Sequence, residues 1–389
     1  MKLEENKGIP GSLILAMAIL AGVTVANLYY NQPLLELIKQ DINATEMATN
    51  LITVITQIGY ALGLFFVIPM GDLYSRRRII ITCMLSAALF SVMIAFAPHI
   101  AVVWAASLLL GVCSVVPQLF MPIAGQFSKP QDKSKNMGYI LSGLLTGILA
   151  ARVVSGLIGH WLGWREMFGI AAVMMLVCCG IALRIMPEMK TNFHGNYRQL
   201  MGSIFTIVKT HPKIRVYALR GGCAFGSMLA IWSCMAFHLA GAPFHAGSDK
   251  VGLLGLCGIV GAVVASGVGK YIPKYGIRRF SLIGALLQLV AWAVCLFWGN
   301  AYAGLVTAVI VLDIGLQCQQ ISNQSGCIQE LPEAANRCNT IFMTTYFIGG
   351  SLGTFLAGIG WTYLRWAGVC VVGTVLALCS MLVSLLFHR

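Results

Sequence analysis

The sequence predicts an all-α membrane protein with twelve transmembrane helices, arranged as two pseudo-symmetric six-helix bundles with both termini in the cytoplasm. Of its 389 residues, 58% are hydrophobic and only 10% are charged, whereas a soluble domain carries roughly 25% charged residues. Twelve apolar runs follow one another along the chain, and short motifs recur between its two halves. A water-soluble fold could not hide so much apolar surface, so the expected solvent is lipid.

Each apolar run is long enough to cross a bilayer, which takes about 20 residues in a helix. A helix is expected because lipid offers no partner for backbone N–H and C=O groups. Strands of a membrane barrel would be about ten residues long and would alternate in polarity. The predicted spans cover residues 10–35, 46–70, 79–97, 100–126, 136–160, 165–186, 214–240, 250–271, 280–298, 301–322, 339–361 and 366–387.

The basic residues predict the orientation. The net charge is +13, but Lys and Arg form short clusters between apolar runs, which argues against a nucleic-acid partner. With the N-terminus inside, most basic residues fall in cytoplasmic segments. The outside loops then hold only Lys39, Arg165, Lys250 and Arg365.

The longest connection, residues 187–213, divides the chain near its middle. It is polar and basic, and the stretch Tyr197 to Lys209 is amphipathic. We therefore predict an N-terminal bundle over 1–186, a cytoplasmic linker over 187–213 and a C-terminal bundle over 214–389.

Two similarities at an offset of about 202 residues indicate an internal duplication. GDLYSRRR after the second span (71–78) matches IPKYGIRR after the eighth (272–279). The fifth and eleventh spans share a small-residue pattern that predicts close helix packing. Its members are Gly147, Ala151 and Gly156, and Gly349, Gly353 and Gly358.

These features resemble the major facilitator superfamily over the whole chain. Its loop motif G-x-x-x-D-R-x-G-R-R is kept here at Asp72, Arg76 and Arg77. Drug–proton antiporters of the superfamily carry G-x-x-x-G-P-x-x-G-G in the fifth helix, where this chain has Arg152 in place of Pro. The segment 26–35 with Gln118 and Arg152 is similar to a bacterial subgroup described as nucleoside, sugar or drug exporters. The resemblance implies a multi-pass protein of the bacterial inner membrane.

Charged residues inside spans are candidates for function, since each costs roughly 2.5–3.5 kcal/mol at mid-helix on insertion scales. Asp313 is the one carboxylate in the interior of a predicted span, and we predict that it couples transport to protons. Glu36, near the outer mouth, is the reserve candidate. Arg152 is predicted to contact the substrate or to pair with Asp313, and the alternative for Asp313 is a permanent salt bridge.

Asp72, Arg76 and Arg77 are predicted to form a gate at the inner ends of the second and third spans. A carboxylate beside guanidinium groups can form a breakable ionic latch. The alternative is that the Arg run only anchors the cytoplasmic side.

Amide and phenol groups in the spans predict a largely neutral, hydrogen-bonding cavity, because an amide in lipid is costly unless it faces a cavity or another helix. For the cluster near Pro33, the alternative is an aromatic belt at the membrane interface. The predicted substrate-binding residues are Asn27, Tyr30, Asn31, Gln57, Gln118, Arg152, Gln317 and Gln320.

The predicted function is secondary active transport by alternating access, with proton-coupled export of a small organic solute or drug. No G-x-x-x-x-G-K-[ST] sequence is present, so a proton gradient is the expected driving force and no cofactor is expected. A nutrient symporter is the alternative, since fold does not decide direction. A membrane-embedded enzyme is disfavoured, because no nucleophile–base set or metal-ligand spacing is found. The expected partners are the solute, protons and the lipid bilayer, with the chain acting as a monomer.

Overall fold

In a computed structural model, the regular secondary structure of the described residues is entirely helical, with turns and short loops between the helices. The structure describes residues 3, 6–187 and 196–387, and at positions 72, 134, 262, 265–267, 269, 270 and 273 it describes the backbone only. No strand occurs in these ranges. The all-helical prediction is therefore confirmed for the described part of the chain.

The helices before the linker follow the predicted spans, with breaks that the hydropathy pattern does not show. The third helix continues through a π turn, Gly63–Val67, and a 3₁₀ turn, Gln32–Leu34, precedes the second. These helices are α1 Gly11–Ala26, α2 Leu35–Ile42, α3 Glu46–Leu62, α4 Met70–Leu73, α5 Arg76–Ala95, α6 Ile100–Cys113, α7 Val116–Phe127, α8 Lys133–Trp161 and α9 Trp164–Ile185.

The remaining helices include the linker helix α10. They are α10 Tyr197–Thr210, α11 Pro212–Ala240, α12 Ser248–Leu253, α13 Gly258–Tyr275, α14 Ile277–Trp298, α15 Tyr302–Glu330 and α16 Ala335–Leu386. Asn196 caps α10 in a reciprocal capping box with Gln199, and the helix buries Leu200, Met201, Ile204 and Ile207 on one face. The predicted amphipathic stretch is thus a helix.

Nine helical segments of the described chain are long and apolar enough to cross a membrane. The predicted span 10–35 is interrupted after Ala26, and the span 250–271 is divided into α12 and α13 by a 3₁₀ turn, Leu254–Cys257. In the other direction, α16 covers two predicted spans and is broken at Arg365, whose φ of 51° is not helical. The count of twelve helices and the cytoplasmic termini stay predictions.

Glycines let the backbones of two helix pairs touch. A Cβ on Gly349 would lie 2.6 Å from Cα of Gly222, where α16 crosses α11, and Gly353 meets Gly226 in the same way. On the other side of the linker, Gly147 of α8 lies against Gly22 of α1. The same kind of crossing therefore occurs at equivalent places on both sides of the linker.

The last glycine of each small-residue pattern contacts the other half of the chain. Gly156 of α8 faces Gly252 of α12, where an added Cβ would be 2.9 Å from Cα, and Gly358 of α16 lies against Asn50 of α3. On α8, the buried Ala151 lies between Gly147, which contacts α1, and Gly156, which contacts α12. The chain segments before and after the linker thus meet along α3–α16 and α8–α12, and a cavity lies between them.

Candidate transport site

A cavity of about 150 Å³ lies between the segments before and after the linker. It is lined from α1, α3, α7 and α8 on one side and from α11, α13, α15 and α16 on the other. The polar and aromatic lining residues are Tyr29, Tyr60, Gln118, Arg152, Phe225, Asp313, Gln317, Gln320, Gln324, Tyr346 and Phe347.

Arg152 is buried in this cavity at 5% exposure. Its Nε–H donates to Oε1 of Gln32 at 2.8 Å. The guanidinium carbon lies 4.1 Å from the ring centroid of Trp232 and 4.9 Å from that of Tyr29. Cation–π contacts of this kind stabilise a desolvated guanidinium by about 2 kcal/mol, so the group is fixed in place with its charge retained.

Asp313 faces the same cavity from α15 and is 7% exposed. Its Oδ2 lies against the backbone of α13. A Cβ added to Gly258 would be 3.4 Å from this oxygen, and a Cβ added to Gly261 would be closer still. No ion pair within 4.0 Å joins Asp313 to Arg152, although both side chains belong to the described part of the chain. The permanent salt bridge considered from the sequence is therefore not formed in this conformation.

Four predicted substrate-binding residues line the cavity: Gln118, Arg152, Gln317 and Gln320. Gln118 donates to the hydroxyl of Tyr60 at 3.4 Å, and Gln320 accepts from the hydroxyl of Tyr346 at 2.8 Å.

The other four predicted substrate-binding residues lie elsewhere. Asn27 donates to the sulfur of Met175, and Asn31 hydrogen-bonds Thr56. Tyr30 lines a separate apolar groove along α1 and α8, because adjacent helical residues point about 100° apart and it is Tyr29 that faces the cavity. Gln57 is fully buried, and neither of its side-chain polar atoms has a hydrogen-bond partner.

Glu36, the reserve coupling candidate, lies at the outer end of the molecule in the predicted orientation. It pairs with Lys39 at 2.8 Å and accepts from Gln40. Glu36 does not line the cavity, and of the two carboxylates only Asp313 faces it.

The predicted gate residues have their observed contacts on one side of the linker. Arg76 donates to Gly71 O and to Gln126 Oε1, and Arg77 donates to Leu183 O. The side chain of Asp72 lies outside what the structure describes. Latch formation by these three residues stays a prediction.

An ionic connection at the outer end was missed from the sequence. Glu46 of α3 accepts from Arg365 at 2.6 Å and from the indole N–H of Trp361 at 2.8 Å. Nearby, Asn50 donates to the carbonyl of Thr354 at 3.1 Å. These bonds join α3 to α16 across the two halves, where the sequence showed only ordinary loop charges.

Comparison with known proteins decides the family. The family model described as Major Facilitator Superfamily matches residues 17–354. The chain belongs to the Major Facilitator Superfamily. Among its relatives is an Escherichia coli O157:H7 protein named "Uncharacterized transporter YgaY", which is 36% identical over 99% of this chain and 98% of that protein. The Streptomyces coelicolor protein named "Probable transporter SCO4007" is 30% identical over 92% of this chain and 83% of its own.

Solved structures with the same fold include a protein described as the nucleoside transporter NupG, with a TM-score of 0.74 and 16% identity over 96% of this chain and 98% of that one. A bacterial homologue of the human lysosomal transporter Spinster, inward-facing and occupied, gives a TM-score of 0.72 at 15% identity, covering 96% of this chain and 93% of its own. The family and these relatives identify the chain as a multi-pass membrane transporter.

Proposed function

We propose that this protein exports a small organic solute by proton antiport and alternating access across the bacterial inner membrane. In this proposal residues 1–186 and 214–389 move relative to each other, the chain acts as a monomer, and both termini are cytoplasmic. The observation that carries it is the position of Asp313, a buried carboxyl group that opens on the cavity and is not paired with Arg152. A carboxyl group in such a place can bind either a proton or a solute group, which couples the two fluxes.

The contacts at the outer end support alternating access. Glu46–Arg365 and the hydrogen bond from Ser248 Oγ to Gly156 O, at 2.9 Å, hold the halves together there. The polar contacts of both connections can be replaced by water. The outer ends can therefore separate and rejoin without disrupting the helix packing inside either half.

The test is solute movement in proteoliposomes under an imposed pH gradient, with nucleosides, sugars, amino acids and lipophilic cations as the panel. Nucleosides belong in it because a protein of the same fold is described as a nucleoside transporter. Wild type is expected to move one solute class against the proton flow. Movement of the solute with the protons would instead indicate the symporter.

Asp313→Asn is expected to keep solute exchange at equilibrium while losing accumulation driven by the gradient, because an amide cannot bind and release a proton. Glu36→Gln is the matched control, since it removes a carboxylate that pairs with Lys39 outside the cavity. Full gradient dependence in Asp313→Asn, together with its loss in Glu36→Gln, would move the coupling site to Glu36.

A further inference from the structure

Two side chains of opposite charge line the central cavity and pack against the same short stretch of the chain. A Cβ added to Gly255 would lie 2.9 Å from Cβ of Arg152. A Cβ added to Gly258 would lie 3.4 Å from Oδ2 of Asp313. Three residues correspond to nearly one helical turn, or about 5 Å along the axis. The two charged side chains are therefore neighbours that approach the glycines from opposite halves.

The two charged groups are too far apart for a direct ion pair. They form no ion pair within 4.0 Å, and in the described chain the hydrogen-bond partner of Arg152 is the neutral Gln32. Asp313 packs on the backbone of Gly258 and Gly261, which carries no compensating charge. A buried charge without a partner is costly, so the cavity is complementary to a ligand that supplies both missing charges.

Apart from four glutamine side chains, Gln118, Gln317, Gln320 and Gln324, the rest of the cavity lining is apolar and aromatic. Phe225 stacks on Tyr346 with ring centroids 4.0 Å apart, and Tyr60 contacts Phe347 with centroids 4.3 Å apart. Aliphatic side chains line the cavity together with these rings. They are Val25, Leu141, Leu144, Leu145, Ile148, Leu149, Leu229 and Leu316. A volume of about 150 Å³ leaves room for a small solute only.

We propose that the solute is a small zwitterion with an apolar body, of the class of free amino acids with aromatic or branched side chains. The proposal rests on the transport function above and names its substrate class. The carboxylate of the solute binds Arg152, its ammonium group binds Asp313, and its side chain packs against the rings of Phe225 and Tyr346. Because the ammonium group and a proton compete for Asp313, exchange of one for the other is antiport.

Three compounds with one body and different charges test this. Phenylalanine is the zwitterion, phenethylamine is the cation, and N-acetylphenylalanine is the anion. Their binding to the full chain in nanodiscs is measured by calorimetry at pH 7. Wild type is expected to bind phenylalanine at least about tenfold more tightly than either analogue, since each analogue leaves one buried charge unpaired.

Charge removal from the cavity should abolish these preferences one at a time. Arg152→Gln is expected to bind phenylalanine and phenethylamine equally, and Asp313→Asn to bind phenylalanine and N-acetylphenylalanine equally. Arg165→Gln is the control, because Arg165 binds Asp41 outside the cavity. It should keep the wild-type order. Arg152→Lys, which retains the charge, should partly restore the preference for the zwitterion.

The comparison of the three compounds on wild type decides the proposal even if a variant fails to fold. Equal binding of all three compounds would overturn the zwitterion proposal and leave the proposed transport intact. The same holds if the protein moves a nucleoside or sugar under a pH gradient but binds neither phenylalanine nor leucine. A protein that moves no solute class under the gradient would instead contradict the proposed antiport itself.

Discussion

The two halves of the molecule treat buried amides differently. In the half before the linker, Gln57 has no hydrogen-bond partner for either polar atom, and one polar atom each of Asn27, Gln32 and Asn50 also has none. In the half after it, only Asn323 among the amides of the described residues has such an atom, its Oδ1, and every side-chain polar atom of Gln288 and Gln319 has a partner. Gln319 donates to Gln288 at 2.9 Å and accepts from Ser380, and Gln288 donates to the carbonyl of Ala224 at 3.0 Å.

The difference distinguishes buried amides that hold helices together from buried amides that are free to bind water or solute. Gln288, Gln319 and Ser380 join α14, α15 and α16 inside one half, and such a satisfied network favours one arrangement of the helices. Gln57 lies two turns along α3 from Asn50, which bonds α16 of the other half, so both amides share the face between the halves. Their unused hydrogen-bonding capacity can be met by water or solute when the halves separate.

The largest expected effect comes from breaking the satisfied network. Gln319→Leu leaves Gln288 Oε1 without its donor and leaves the Ser380 hydroxyl only its hydrogen bond to Arg220 O. We expect a loss of about 1–3 kcal/mol in unfolding free energy. Thermal unfolding in detergent measures it. Gln40→Leu, on an exposed side chain of α2, is the control and should change stability little. An unchanged melting temperature for Gln319→Leu would mean that the network contributes no stability.

A second effect concerns the carboxylate of Asp313, which lies against glycine backbone while Arg152 is held by Gln32. Gly261→Ala places a methyl group where Asp313 Oδ2 lies, so we expect transport to fall about tenfold, equivalent to about 1.4 kcal/mol. Gly180→Ala is the matched control, because a Cβ there meets nothing within 4 Å. Equal transport by the two variants would show that Asp313 has no defined position.

A smaller effect of opposite sign is expected at Gln57. Gln57→Leu removes two buried polar atoms that have no partner, so unfolding free energy should rise by about 1 kcal/mol. Turnover should fall at the same time, because the closed contact between α3 and α16 is stabilised. Initial transport rates and melting temperatures, measured side by side, test this. A destabilised variant would show that the amide is already satisfied by water.

The smallest effect is expected at the outer connection. Glu46→Gln weakens the bond to Arg365 between the halves, whereas Asp41→Asn weakens a similar bond to Arg165 within one half. Exposed pairs contribute roughly 0–1 kcal/mol, so Glu46→Gln should raise the outward-open population by up to about fivefold. Labelling of a cysteine placed at the outer end reports this population. Equal labelling rates in both variants would exclude a gating role for Glu46.

Much of the fold was predictable because lipid restricts a spanning chain to continuous helices. The apolar runs therefore gave most helix positions, and the pattern Tyr197 to Lys209 gave the linker helix α10. The breaks inside the spans after Ala26 and at Leu254–Cys257 were not predicted. Hydropathy remains high across both breaks, so the pattern of apolar residues does not reveal them.

The site was predictable where a residue is unusual for its surroundings. Arg152 and Asp313 stand out as charges in apolar runs, and both line the cavity. Trp232 and Phe225 do not stand out, because an aromatic ring in a span can equally face lipid or the core. Glu46 and Arg365 are 319 residues apart and look like ordinary loop charges, so the sequence contains no indication that they meet.

The glycine crossings of α1 with α8 and of α11 with α16 have a consequence for the history of the chain. At each crossing the backbones are too close for any side chain, so a single methyl group at Gly22, Gly147, Gly226 or Gly353 should be poorly tolerated. A six-helix ancestor that already contained one such crossing would have passed it to both copies on gene fusion. Saturation mutagenesis should then give a tolerance profile with a repeat of about 202 residues, visible where amino-acid identity between the copies has been lost.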